Sequence, residues 1–378
     1  MDRRSFLKLA TLASLTPGTV VDVLQTARPS TRKRLLQLSA YTLDAETPLD
    51  LLTSYITPND LFFIRSHFIP TRVDPATWAL TVDGEVSRPT RLTLADLRSL
   101  PRVDVTCVLQ CAGNGRALFT PAMPGVQWRH GAVGNARWTG ARVKDVLDRA
   151  GLKPSARHLH TFGSDTPPRH VPPFHRSLEI DKVLEDGIIA YEMNGEPLSH
   201  DHGAPARLVV PGWAGDHWMK WLRRISPSAA PQTGFYMDTA YRYPSRPGIP
   251  GHAFKPEEMH PVTELVVKST ITTAPARARV GAPVTLRGFA LSGAPDIAAV
   301  EITDDSGLTW RAADLDRQHH PHAWRLWSYR WTPRSHGVHH VAVRATDARG
   351  SVQPKEPVWN PSGYLHNGWH ASAIEVTP

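Results

Sequence analysis

A strand that must be buried runs straight into a turn that only small residues can make: Val105-Thr106-Cys107-Val108-Leu109-Gln110-Cys111-Ala112-Gly113-Asn114-Gly115-Arg116. Val103, Val105, Cys107 and Leu109 fall on one face at period two, the pattern of a half-buried strand. The Ala-Gly-Asn-Gly that follows lets the backbone approach a bound group closely. Cys111 stands at the junction, with Arg116 a few residues on. Backbone amides and a guanidinium there would favour the thiolate, so Cys111 is a candidate soft metal ligand or nucleophile. Cys107, in mid-strand, reads as a small buried hydrophobe. The two sulfurs belong to residues about 13 Å apart along an extended chain, and a bridge needs less than about 7 Å. No disulfide is expected.

A chain of 378 residues suggests two or three domains. Thirty-four prolines favour loops and β structure over helical bundles. The net charge of +8 is no mark of nucleic-acid binding, because residues 1–34 alone carry seven Lys or Arg against two Asp. The rest of the chain is nearly balanced and has no basic helix.

Met1-Asp2-Arg3-Arg4-Ser5-Phe6-Leu7-Lys8 and the apolar run to Leu24 resemble a twin-arginine export signal, expected over residues 1–27. Pro17 and Asp22 break that run as a spanning helix. Residues 28–54 read as a flexible mature start, and the protein is expected in the periplasm without a membrane anchor. Trp78, Leu80 and Val82 then mark a strand, and Thr93-Leu94-Ala95-Asp96 opens a short capped helix before Pro101. Val143, Val146, Leu147 and Ala150 form a helical stripe stopped by Gly151. Ser177–Leu184 reads as another helix and Ala206–Pro211 as a strand. This mixture, without a regular βαβ rhythm or a G-x-G-x-x-G turn, implies an α+β domain over residues 55–260. From 261 to 378 short strands recur at Val262–Val267, Pro283–Phe289, Ala298–Thr303, Trp310–Asp314, Leu326–Trp331 and His339–Ala345, the signature of an immunoglobulin-like sandwich. His319, His320 and His322 cluster in sequence but share a loop with Pro321 and match no zinc pattern.

Gln110-Cys111-Ala112-Gly113-Asn114 followed by Arg116 is similar to the molybdenum-ligating segment of the sulfite oxidase family of molybdopterin enzymes. Further blocks resemble that family in the same order: Phe63-Ile64-Arg65-Ser66-His67, Tyr191-Glu192-Met193-Asn194-Gly195, His202-Gly203 with Pro205 and Arg207, Val210-Pro211-Gly212 leading to Lys220-Trp221-Leu222, Ala240-Tyr241-Arg242, and Trp359-Asn360-Pro361-Ser362-Gly363 with Asn367-Gly368-Trp369-His370.

The resemblance implies a molybdopterin-binding domain followed by a homodimerising sandwich, with molybdenum held by Cys111 and no heme. Phe63, Arg65, His67, Asp165, His202, Arg207 and Lys220 would contact the cofactor. A buried dianionic phosphate needs cations and donors, which His202, Arg207 and Lys220 supply. Arg65 and Arg116 would hold a small sulfur oxyanion, sulfite above all. Tyr241 would donate a hydrogen bond or relay a proton. Electrons would leave to an external carrier such as cytochrome c. Two positions depart from the family pattern: Ser362 and Gly115 stand where arginines are common. Another sulfur compound or an S-oxide therefore remains an alternative substrate. A secreted binding protein using only its sandwich is the alternative outside enzymes.

Overall fold

The computed structural model describes residues 34–39, 42–69 and 72–378, so the twin-arginine segment and its cleavage point lie outside the described residues. Two short strands, β1 (Leu36–Ser39) and β2 (Asp44–Glu46), pair with each other. There follow β3 (Ala79–Val82), β4 (Thr90–Thr93), α1 (Leu94–Ser99), β5 (Arg102–Gln110), β6 (Val133–Arg142), α2 (Val143–Ala150), β7 (His158–Gly163), β8 (His175–Glu179), α3 (Ile180–Glu185), β9 (Ile188–Met193), β10 (Glu196–Pro197), β11 (Arg207–Val209) and β12 (Leu222–Ser228). One sheet runs β10-β9-β6-β5 with β11 added on β9, and the other runs β4-β3-β12-β7-β8. Strand β12 pairs parallel with β3 and antiparallel with β7, the mixed arrangement expected of an α+β domain.

Local chemistry explains the helices. The Thr93 hydroxyl accepts the Asp96 N–H while the Asp96 carboxylate accepts that of Thr93, closing a capping box at α1. Helix α2 buries Val143, Val146, Leu147 and Ala150 and stops at Gly151, whose φ of 70° is left-handed. The expected helix from Ser177 begins only at Ile180, because residues 175–179 pair with β7 first.

Strand β5 alternates as expected up to Val105, but Cys107, Val108, Leu109 and Gln110 are all buried. Its outer edge is closed by the carbonyl of His322, 2.9 Å from the Val108 nitrogen. The second region thus covers what would be an open sheet edge. Both cysteines are free.

The stretch read as a flexible mature start is ordered where it matters. Asp44, Glu46 and Thr47 are buried, and Ala45 bridges Ile64 through two backbone hydrogen bonds.

Next come β13 (Arg242–Pro244) and β14 (Met259–Pro261), which pair. Then follow β15 (Lys268–Thr273), β16 (Arg277–Arg279), β17 (Val284–Leu291), β18 (Ile297–Thr303), β19 (Arg311–Ala312), β20 (Asp314–Leu315), β21 (Arg325–Trp331), β22 (Gly337–Asp347) and β23 (His370–Thr377). They form two sheets, β15-β17-β21-β20 and β16-β23-β22-β18-β19, packed over Ile271, Leu286, Val300, Trp327, Trp331, Val341 and Ile374. Residues 262–267 are not the strand expected there. Instead, Thr263 and Leu265 bond to Ala214 and Gly212, and Val262 and Leu265 sink into the first core. Residues 310–314 divide between two short strands in different sheets.

The two regions are not insulated from each other. Phe289, Leu291, Trp324, Tyr364 and Leu365 belong to the same apolar cluster as Trp138 and Leu109. Trp324 stacks on Phe289 at 4.7 Å and donates its indole N–H to the Tyr55 carbonyl. Among the described residues no helix is long and apolar enough to cross a membrane.

Candidate active site

Strand β5 delivers Cys111 to a cleft that it lines together with Arg65, His67, Arg207, Lys220 and Tyr241. The turn after it is held from both sides. Asn114 donates its amide to Gln110, and its oxygen accepts the Ala132 N–H, while the Cys111 N–H reaches the Ala132 carbonyl. Gly113 leaves room for the Arg116 guanidinium, which a Cβ there would meet at 2.7 Å.

Arg65 lines the cleft beside Cys111 and is fixed by Asp44 at 3.1 Å. Asp44 is 1 % exposed and was hidden in the supposedly flexible start, so no motif announced it. Burial pushes the Cys111 thiol above its ordinary pKa, and the opposing fields of Arg65 and Arg116 do not overcome it. The surroundings therefore do not make the thiolate expected from the sequence. A metal ion would, because coordination itself removes a thiol proton.

One part of the lining is cationic. Arg207, 3 % exposed, gives Nη1 to the His202 carbonyl at 3.0 Å, and its guanidinium lies 4.9 Å from the centre of the Trp138 ring. Its Nε has no partner among the described residues. Burial brings Arg207 down to about 9. Lys220 is brought to about 7, first by burial and then by Arg207. Its Nζ donates to Ser66 Oγ at 3.0 Å and to the Asp201 carbonyl at 2.8 Å. His202, held at about 4 by burial and these cations, is neutral and gives Nε2–H to the Asn59 carbonyl at 3.3 Å. Two buried cations with depressed pKa values and a free guanidinium N–H are what a bound phosphate dianion would satisfy. Phe63 and Asp165 also line the cleft; burial raises the Asp165 carboxyl despite Lys220.

His67 and Tyr241 meet in the cleft lining. The His67 ring stacks on Phe174 at 3.8 Å, and its Nε2 lies 2.7 Å from the Tyr241 hydroxyl. Tyr241 has a φ of 55°, uncommon for a residue with a side chain. Its ring stacks on Tyr364 at 5.2 Å. Burial holds His67 neutral and Tyr241 protonated.

One expected site residue stands apart. Arg116 is buried behind the wall, giving Nε to the Ser362 carbonyl and Nη1 to the Val126 carbonyl. It acts on Cys111 through its field and is not a lining residue of the cleft. The departures at 115 and 362 take on a structural sense here. Gly115 has a φ of 91°, and a Cβ on it would meet His366 at 2.7 Å. Ser362 serves through its backbone. His319, His320 and His322 diverge, toward Asp296, Tyr55 and Asp186 respectively.

Sequence reasoning missed an ion pair beneath Tyr241. Arg176 and Asp216, 0 % and 1 % exposed at their side chains, meet at 2.7 Å. Arg176 also lies 3.1 Å from His217 Nε2 and 5.3 Å from the centre of the Tyr241 ring. Neither residue sits in a motif. Only the oddity of an acid beside a histidine in an apolar run, Gly215-Asp216-His217-Trp218, could have drawn notice.

A thiol in a cleft whose cationic lining would accept a dianion defines a site for a metal held with a phosphorylated organic cofactor. The family model of the oxidoreductase molybdopterin binding domain matches residues 67–236, and that of the Mo-co oxidoreductase dimerisation domain matches residues 259–377. Human mitochondrial sulfite oxidase is 36% identical over 353 residues, covering 89% of this chain and 64% of that protein. Sulfite oxidase from Gallus gallus is 35% identical, covering 86% and 75%. The Arabidopsis thaliana enzyme is 33% identical, covering 88% and 92%. The crystal structure of the sulfane dehydrogenase SoxCD from Paracoccus pantotrophus superposes with a TM-score of 0.79 at 26% identity, covering 97% of this chain and 96% of that one.

The chain belongs to the sulfite oxidase family of molybdopterin-dependent oxidoreductases. It spans about two thirds of the length of its mammalian relatives.

Proposed function

We propose that the protein oxidises sulfite to sulfate on a molybdenum–molybdopterin cofactor and passes the electrons to an external acceptor such as cytochrome c. The observation that carries this reading is that Cys111, the Asp44-clamped Arg65, Arg207, Lys220 and His202 line one cleft. The bound cofactor would supply the two-electron acceptor and the transferable oxygen. Cys111 would hold the metal as a soft thiolate ligand. Arg207, Lys220 and His202 would bind the cofactor phosphate. Arg65, kept charged by Asp44, would orient the sulfite oxygens. Tyr241 would donate its hydroxyl proton toward the bound oxyanion while His67 donates Nε2–H to the phenol oxygen. Conversion of sulfite and water to sulfate releases two protons and two electrons.

A second reading is favoured by one observation: Arg116, expected as the second oxyanion-binding guanidinium, is turned into the wall and is not among the cleft-lining residues. A sulfane or thiosulfate-derived sulfur would tolerate its absence. The deciding experiment measures molybdenum per chain, together with ferricyanide or cytochrome c reduction by sulfite and by sulfane donors, in wild type and Cys111→Ser. Metal near one per chain with sulfite turnover supports the first reading. Metal without sulfite turnover but with sulfane-dependent reduction replaces it with the second. Folded protein without metal after expression in a cofactor-competent host refutes both.

We further propose twin-arginine export to the periplasm, based on Arg3-Arg4 and the apolar run after it, and a homodimer formed through residues 259–377. Replacing both arginines by lysine should leave the protein in the cytoplasm, and light scattering of the purified protein should give twice the chain mass.

A further inference from the structure

Lys268 opens β15 with its side chain in the interior. It is 2 % exposed, and its Nζ has no hydrogen-bond partner among the described residues. A buried ammonium without a counter-charge is among the costliest groups a fold can hold. Burial alone accounts for its fall to about 8. The groups that feel its charge are imidazoles: His130 from the segment before β6, and His366 and His370 from the C-terminal segment. That segment lies along the start of β15, where the Val267 carbonyl accepts from the Asn367 amide at 3.2 Å. The His130 and His370 rings meet edge to face at 4.5 Å. His370 Nδ1 accepts the Ile271 N–H at 3.2 Å, so its proton sits on Nε2. The Nδ1 atoms of His130 and His366 are buried without partners. Burial and the Lys268 charge hold all three rings neutral.

We propose that Lys268, His130, His366 and His370 form an interior binding site for a halide-sized monoanion at the junction of the two regions. One ammonium and three neutral rings, each with an N–H to donate, match a single negative charge. A metal ion does not fit, because the ammonium repels it and no metal-competent group of His, Cys, Asp or Glu exists among the described residues. A sulfate or phosphate dianion would need a second interior cation. His130 and His370 are only half-buried, which gives the ion a way in.

The site has a structural consequence. His366 packs edge to face on Phe119 at 5.0 Å and fills the space where a Gly115 side chain would stand. An ion held by His366 would therefore brace the back of the Cys111–Arg116 turn and tie β6 to the C-terminal segment. None of the four residues lines the cleft, and the inference does not depend on the substrate assigned above.

The test uses the full-length holoprotein. Crystals soaked in sodium bromide should show an anomalous peak within about 3.5 Å of Lys268 Nζ. In solution, replacing sodium gluconate by sodium bromide or chloride at constant ionic strength should raise Tm by about 4 °C, rising with the logarithm of halide concentration above the dissociation constant. Lys268→Met should abolish that response. Should Lys268→Met fail to fold, the wild-type map and the halide titration decide alone. Absence of the peak, a Tm equal in bromide and gluconate, or a halide response retained in Lys268→Met overturns the proposal. So does tetrahedral density at the four residues, or a peak with no solution response (binding at crystal concentration only).

Discussion

The Tyr241 hydroxyl lies 2.7 Å from His67 Nε2, joining a residue just after the Arg65 segment to one 174 positions later. Tyr241 is held for this contact by its stack on Tyr364 and by Arg176 beneath its ring. Replacing it by Phe keeps the stack and removes one hydrogen bond. The expected result is unchanged molybdenum content and Tm, with kcat for sulfite down roughly tenfold, the worth of one such bond. Steady-state kinetics with metal analysis checks it; full activity would make Tyr241 a packing residue only.

Cys111→Ser should leave the fold intact, since serine is close in volume and the turn is fixed by Asn114 and Gly113. Molybdenum should fall to near zero per chain, because a hydroxyl is a harder and far less acidic ligand than a thiol. Inductively coupled plasma analysis of folded protein reads this directly. Retained stoichiometric metal would remove Cys111 from the ligand set.

Asp216→Ala leaves the Arg176 guanidinium uncompensated in the interior. Breaking a buried pair in this way costs about 3–5 kcal/mol, and the urea midpoint should drop accordingly. The double change Arg176→Met with Asp216→Leu should recover most of that loss, because it removes both charges and keeps volume. Equal destabilisation by the single and double variants would contradict the pairing.

Stability should depend on pH through the imidazoles around Lys268. His130, His366 and His370 are held at about 2, 3 and 4 in the folded chain, against about 6.5 unfolded. Below pH 6.5 the unfolded chain binds protons that the native one refuses, so native stability falls as pH drops from about 6.5 toward 4 and is complete above that range. Urea unfolding at pH 7.5, 6 and 5 in gluconate buffer should show a falling midpoint. Chloride should flatten the slope by favouring the charged rings in the folded state. A midpoint independent of pH would refute the assignment.

Gly115→Ala would force a side chain onto a φ of 91° and into His366 at 2.7 Å. Strain of this kind costs on the order of 1–3 kcal/mol. Tm should fall, together with molybdenum occupancy, as the turn shifts. An unchanged Tm would show that His366 yields freely.

The legible parts of this molecule were those written in local chemistry. The Thr93 capping box, the Val143–Ala150 stripe with Gly151, and the Cys111 turn all follow from neighbours in sequence, and each formed where expected. Arg207, Lys220 and His202 converge as the resemblance implied. What escaped were relationships set by tertiary contact. Asp44 looked like part of a polar tail until Ile64 paired with Ala45 and brought Arg65 to it. Arg116 looked like a cleft cation, but three glycines at 113, 125 and 363 open a channel that draws its guanidinium toward backbone carbonyls instead. Residues 262–267 have the composition of a strand, yet their backbone partners are the 212–214 loop, not a sheet.

The segment from Asn360 to His366 places Tyr364 on Tyr241, the Ser362 carbonyl on Arg116, and the Leu365 nitrogen 2.8 Å from the Ala112 carbonyl. These contacts reach the Cys111 turn from a stretch that the ribosome makes after both sandwich sheets are nearly complete. A nascent chain halted anywhere before it would have Cys111 but an unsupported turn around it. The support of the Cys111 turn is thus supplied by residues that follow β22 in the chain, so the turn is finished by the far end of the sandwich region and not by its own neighbours.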